Sequence, residues 1–336
     1  LRHVVWPLLP LVPLYGAAQA LDSVAYARGW RRRERLRWPV VSVGNLSVGG
    51  AGKTPFVIAL ARAFTERGWS VDVLSRGYGR TADVVERVVT GAMDDPAARY
   101  GDEPSLIAER AAVPVYVGRR RASAGRLAEA TLIVDGGARH VHLLDDGMQH
   151  RGLARDAEIV LLHRSDFRTT LLPAGRLREP LAALERAEFV VLREGDAELA
   201  ARARRWMRTD AQIWTIKREL EVPALEGAAV VFSAIAHPEE FVAELRRQGV
   251  ALAATRAWRD HHRFTDRDVE ILCDMATTYR AKSFLTTQKD MVRLTERQRM
   301  RLAQIGPLAA AQVTVRLLEP ETALGALEQL LLQKGA

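Results

Sequence analysis

Cysteine is almost absent: Cys273 stands alone among 336 residues, so no internal disulfide can form and a reducing compartment is the natural setting. Lysine is nearly as scarce. Of 49 basic residues only Lys53, Lys217, Lys282, Lys289 and Lys334 are lysines, and the formal net charge is +8. A basic balance invites nucleic acid or an anionic membrane as partner. Zinc-finger spacing and basic–aromatic alternation are both missing, so no nucleic-acid partner is expected. There is no internal repeat and no long low-complexity segment. Composition is otherwise that of a globular chain, long enough to bury two cores.

What one segment lacks is charge. Val4 to Leu21 carries none, and Arg28, Arg31, Arg32, Arg33, Arg35 and Arg37 follow against the single acid Glu34. Eighteen apolar residues are at the short edge of a membrane span, and Pro7, Pro10 and Pro13 weaken the first turns of any helix. Three readings exist: a cleaved signal peptide ending near Ala18-Gln19-Ala20, a core helix, or a membrane anchor. Arginines after an apolar segment tend to stay on the cytoplasmic side, where they meet anionic headgroups. The expectation is therefore a membrane-associated segment over residues 1–30.

After Trp38-Pro39 short apolar runs alternate with helical stretches. Strands are expected at Val40–Val43, Val71–Leu74, Val113–Val117, Thr131–Val134, Val141–Leu144, Ile159–Leu162 and Phe189–Leu192. Helices are expected at Phe56–Arg67, Ser105–Ala112 and Ala122–Ala130. A second series begins near Ile213, with strands at Ala229–Phe232, Ser283–Thr286 and Val313–Leu317. Its helices are expected at Pro238–Gln248, Asp266–Thr277 and Thr322–Leu332. Buried strands alternating with helices imply a mostly parallel α/β sheet.

Between the first strand and helix lies Ser47-Val48-Gly49-Gly50-Ala51-Gly52-Lys53-Thr54, in the context of a phosphate-binding loop. The glycines let backbone N–H groups turn toward phosphate oxygens, and the helix N-terminus adds partial positive charge. Lys53 is expected on the β- and γ-phosphates and Thr54 on Mg²⁺. The general pattern opens with Gly, and Ser47 departs from it. Downstream, Asp145 and Asp146 end an apolar strand, where open α/β sheets bind ligands. Carboxylates there suit Mg²⁺, a hard cation, although an Asp-Asp-Gly turn also serves backbone geometry.

These residues resemble a family. Val43 to Pro55 closely resembles the phosphate loop of the tetraacyldisaccharide 4′-kinases, the lipid A kinases, in which Ser or Thr opens the loop. Ser75-Arg76-Gly77-Tyr78-Gly79, Gly101-Asp102-Glu103-Pro104, Asp145 to Arg151 and Thr286 to Asp290 are similar to further family motifs. So are Trp258-Arg259-Asp260-His261, with Trp where Phe is usual, and Arg178-Glu179. The resemblance implies two α/β/α sandwich domains with an N-terminal membrane-associated helix: a P-loop kinase core over 31–212 and a smaller domain over 213–336 that closes the cleft. It implies ATP and Mg²⁺, the cytoplasmic face of the inner membrane, and a lipid A disaccharide 1-phosphate as acceptor. Inner-membrane lipids are then partners, and no obligate protein partner is inferred.

The site carried over has Asp102, His261 and Lys53 as catalytic groups, with His262 leaving the choice of histidine ambiguous. Ser47 to Thr54, Arg178 and Glu179 bind nucleotide. Thr54, Asp145, Asp146, Glu103 and Gln149 serve the metal, and Arg76, Tyr78 and His150 hold substrate. His163 and Asp166 are read as structural. The alternative is a membrane-associated NTPase switch without a small-molecule acceptor. Thr287-Gln288-Lys289-Asp290 has the wrong spacing for the base-reading element of a GTPase switch.

Overall fold

The computed structural model describes residues 4–49, 52–80, 83–89, 91, 95–132 and 139–335. Twelve strands are described. β1 (Val40–Asn45), β2 (Ser70–Ser75), β3 (Glu86–Arg87), β4 (Val115–Val117), β5 (His140–Asp145), β6 (Ala157–Leu161) and β7 (Phe189–Arg193) come first. β8 (Gln212–Glu221), β9 (Ala229–Ser233), β10 (Leu252–Ala257), β11 (Ser283–Thr287) and β12 (Leu308–Leu317) follow. The helices are α1 (Val12–Ala27), α2 (Lys53–Glu66), α3 (Pro96–Tyr100), α4 (Asp102–Ala111), α5 (Arg121–Thr131), α6 (Ala197–Arg204), α7 (Pro238–Arg247), α8 (Asp266–Thr278), α9 (Gln288–Met291), α10 (Glu296–Ala303) and α11 (Pro320–Gly335).

All twelve strands join one sheet, in the order β10-β9-β11-β12-β8-β7-β6-β1-β5-β2-β4-β3. Every pairing is parallel except β12 with β8 and β3 with β4. The two series meet at β8. Residues 308–311 of β12 pair with β11, residues 312–317 pair with β8 at the start of the second series, and the other edge of β8 pairs with β7 of the first. Helix α11 then returns to the first series, where Leu324, Leu327 and Leu331 share a core with Phe56, Leu60 and Phe64 of α2. Leu36, Leu74, Tyr116 and Leu144 pack on the opposite face of the sheet. Each large side chain buried there contributes about 1.5–3 kcal/mol.

One expected strand is replaced. Thr131 ends α5 and Leu132 caps it, while the rest of the Thr131–Val134 run lies outside the described residues. Strands β3 and β10 were not expected: β3 has two residues, and β10 is an edge strand whose Leu-Ala-Ala-Thr-Arg-Ala carries no apolar run.

Trp6–Ala27 forms a continuous helical segment, 3-10 in its first turns and α thereafter, long and apolar enough to cross a membrane. None of its most apolar window is buried in the protein, so the core-helix reading does not fit. One side of the segment still touches the body. Val5 N–H donates to Ala174 O (2.7 Å), the Tyr15 hydroxyl donates to Arg178 O (3.0 Å), and Arg151 donates to Gln19 O (3.1 Å).

Candidate active site

Strands β1 and β5 lie side by side with Val43 opposite Asp145, so the glycine loop after β1 and the carboxylates ending β5 share one edge. Gly44 permits this closeness: a Cβ there would meet Met148 Cβ at 2.5 Å. The loop is held from outside by Ser47 pairing with Leu177 and by Val48 N–H donating to Arg176 O (2.8 Å). Gly49 and Gly52 have φ of +111° and +83°, which favour glycine. Gly50 and Ala51 lie outside the described residues. Lys53 and Thr54 open α2.

Lys53 Nζ donates to Asn45 Oδ1 (2.7 Å) and pairs with Asp146 Oδ1 (3.3 Å). Arg178 donates to Asp146 Oδ2 (2.8 Å). Burial works against the charge on Asp146, but Lys53 and Arg178 prevail and hold it below its ordinary pKa. Asp145 behaves oppositely. Burial first, then the negative charges of Glu103 and Asp146, push its carboxyl up to about 7. Its Oδ2 accepts from Ser75 Oγ (3.1 Å), while the buried Oδ1 has no hydrogen-bond partner. An orphaned carboxylate oxygen among three acids fits a hard divalent cation, which would relieve both burial and repulsion.

Two residues assigned from the sequence are engaged within the protein. Gln149 accepts from Arg178 (3.1 Å) and donates to Asn45 O (3.1 Å), so its amide oxygen orients Arg178. Glu179 is fully buried beneath the loop, accepting from Arg151 (2.7 Å) and Arg186 (2.8 Å). It anchors the loop region and does not line it.

The second series reaches the site through α9 and the turn after β10. His261 Nδ1 lies 3.1 Å from Asp102 Oδ2, across 159 residues of sequence. His261 sits at φ +62°, a strained position for a non-glycine residue. The neighbouring His262 is otherwise engaged: its Nε2 meets Asp268 Oδ2 at 2.9 Å and its ring stacks on Trp258. Of the two histidines, His261 is the one that faces Asp102. Arg293 Nε donates to Asp102 Oδ2 (2.7 Å), and Arg293 Nη1 donates to Asp290 Oδ1 (2.8 Å). Burial raises the Asp102 carboxyl, but the His261 hydrogen bond and the Arg293 charge outweigh it and hold it low. Beside this pair Lys289 meets Glu103 (3.5 Å), and exposed Tyr78 sets its ring edge-on to His261.

The sequence model of the tetraacyldisaccharide-1-P 4′-kinase family matches residues 4–332. The chain belongs to this family. It is 39% identical over 325 residues to a tetraacyldisaccharide 4′-kinase of Koribacter versatilis, covering 94% of this chain and 96% of the relative. The corresponding protein of Aeromonas salmonicida is 38% identical, with 86% and 83% covered. A crystal structure of LpxK from Aquifex aeolicus in complex with ATP superposes with a TM-score of 0.75 at 30% identity, over 97% of this chain and 98% of that one.

Within this kinase fold a basic patch adjoins the carboxylates. Burial first, then Arg121, Arg155 and Arg76, push His150 down to about 4, so it is neutral at pH 7. Arg121 is itself buried, and its guanidinium is lowered to about 10. His150 lines one cleft of about 210 Å³ with Tyr26 of the N-terminal helix, Arg32, Glu34 and Arg120. Sequence reasoning missed Asn45, Arg121 and Arg293. Asn45 lay inside the quoted loop motif and offered a signal. Arg121 and Arg293 offered none, being two among many arginines. Asp166, set aside as structural, accepts from His163 N–H (2.9 Å) and closes the capping box of a short helical turn.

Proposed function

We propose that this chain transfers the γ-phosphate of ATP to the 4′-hydroxyl of a tetraacyldisaccharide 1-phosphate. The observation that carries the reading is the meeting of Asp102 and His261 from distant parts of the chain, beside Lys53 and the carboxylates. A phosphoryl acceptor needs positioning and a place for its proton. Asp102 is held ionised, and the Asp102–His261 pair accepts the hydroxyl proton. Lys53, freed from Asp146, neutralises charge on the phosphates. Asp145, Asp146 and Thr54 would hold Mg²⁺, with Glu103 adding negative charge; the ion would supply Lewis-acid neutralisation. Arg178 moves between Asp146 and the phosphates. Arg76, Arg121 and neutral His150 form the surface suited to the acceptor's own phosphate, with Tyr78 against the sugar.

The apolar segment Trp6–Ala27 and the arginines after it support attachment to the cytoplasmic face of the inner membrane. A core over 31–212 and a closing domain over 213–336 is the proposed division, crossed by the β7–β8 pairing and by α11. The test is radiolabelled ATP with the disaccharide lipid in mixed micelles. Labelled 4′-phosphate on the lipid is expected; ATP turnover indifferent to lipid, with no labelled lipid, would refute the proposal in favour of a switch.

A further inference from the structure

At the other end of β5, about 16 Å from Asp145 by strand rise, lies a polar cluster that the phosphoryl-transfer site does not use. His140 and His142 alternate along β5 and therefore share a face. Asp72 of β2 stands opposite His142 in the parallel register. His140 Nε2 and His142 Nδ1 each lie 2.7 Å from the same oxygen, Asp72 Oδ2. The three side chains are 0–1% exposed, and the Trp38 ring covers His140 at a centroid distance of 3.8 Å. Among the described residues this is the one group of three such side chains with converging ligand atoms.

Protons alone satisfy the cluster poorly. Asp72 Oδ1 and His140 Nδ1 are buried without a hydrogen-bond partner, each a costly omission. Glu129 Oε1 adds a second negative charge 3.5 Å from His142 Nε2. If protons on the two rings balance both carboxylates, two imidazolium rings lie with centroids 5.3 Å apart and repel. A single divalent ion with two neutral imidazoles gives the same neutrality without that repulsion. Glu129 then takes the role of the carboxylate that orients a metal-bound histidine through its second nitrogen.

We propose that Asp72, His140 and His142 form a structural Zn²⁺ site, ligated through Asp72 Oδ2, His140 Nε2 and His142 Nδ1. Asp72 Oδ1 or a water completes the sphere. Bonds of about 2.0 Å in tetrahedral array require ligand separations of about 3.3 Å, so the present 2.7 Å contacts open by about 0.6 Å on binding.

The test uses the full-length protein, stripped with a chelator and then titrated with Co²⁺ as optical probe and with Zn²⁺. One equivalent of Co²⁺ giving intense tetrahedral visible bands is expected, with a rise in the unfolding midpoint of about 4 °C at hundredfold Zn²⁺ excess over Kd. Both signals should vanish in Asp72→Asn and His142→Gln and persist in Asp146→Asn. Absence of bands and of a thermal shift in the wild-type chain overturns the proposal whether or not the variants fold. So does a signal lost only in Asp146→Asn, which places the ion at the opposite end of the strand.

Discussion

Asp102 Oδ2 is shared by Arg293 and His261, and His261 Nδ1 in turn faces both Asp102 (3.1 Å) and Arg293 Nη2 (3.2 Å). Arginine only donates, so Nδ1 either donates to Asp102 or accepts from Arg293, never both. Arg293 thereby sets where the pair keeps its proton and holds Asp102 acidic. Arg293→Gln should lower kcat about tenfold and move its acid limb to higher pH, because removing the cation raises the carboxyl; Arg293→Lys should recover part of both. A pH–rate profile decides, and an unmoved limb denies Arg293 this role. Asp102→Ala should cost about 10²-fold or more in kcat in the same assay. Glu179 illustrates charge used for stability. Burial opposes its ionisation, Arg186 and Arg151 outweigh that, and the folded pKa is depressed. Its contribution is present above the unfolded value near 4.3 and lost as pH falls through the lower folded value. Denaturant titration of Glu179→Gln should show a loss of about 3 kcal/mol at pH 7, and the gap from wild type should close only below about pH 4. Lys53 and Asp145 were legible because each sits in a short local pattern, a glycine loop after a strand and an acidic strand end. Arg293 was not, since its partner lies 191 residues away and only the tertiary fold joins them.

At the scale of elements, hydrophobic runs disclosed the buried parallel strands, β1, β5, β6 and β7 above all, because strands covered on both faces need continuous apolar sequence. Edge strands escape that requirement, so β3 and β10 left no such trace. Helix starts fared well where polar caps exist: Thr265 and Asp268 close a reciprocal capping box at the first turn of α8. The junction of β1 with the turn after β5 is tightly packed. A methyl group on Gly44 would also lie 2.9 Å from Met148 N, a backbone atom that cannot swing aside. Gly44→Ala should therefore destabilise by about 1–3 kcal/mol and raise KM for ATP, since the loop follows directly. Chemical denaturation and initial-rate kinetics measure the two effects; wild-type values for both would show that the turn yields easily.

For the whole molecule, the N-terminal helix has a second duty beyond any attachment to lipid. The Tyr15 hydroxyl holds the carbonyl of Arg178, whose side chain reaches Asp146. Arg151 ties Gln19 and Asp22 to the buried Glu179. Deleting residues 1–27 should therefore weaken vesicle binding and also slow turnover of a detergent-dispersed acceptor several-fold, and Tyr15→Phe should slow turnover while leaving vesicle binding intact. Sedimentation with anionic vesicles and micellar kinetics separate the two; a truncated protein at full micellar rate would confine the helix to anchoring.

Strand β12 constrains how such a molecule can be taken apart. Its leading four residues pair with β11 and its trailing six with β8, whose other edge joins β7. A fragment beginning at residue 213 would carry a bare ladder edge and a helix whose leucines have lost their bed, an adhesive species prone to self-association. The gene is therefore poorly suited to splitting at that point, and any opening of the cleft between the halves must be absorbed as torsion along one continuous strand.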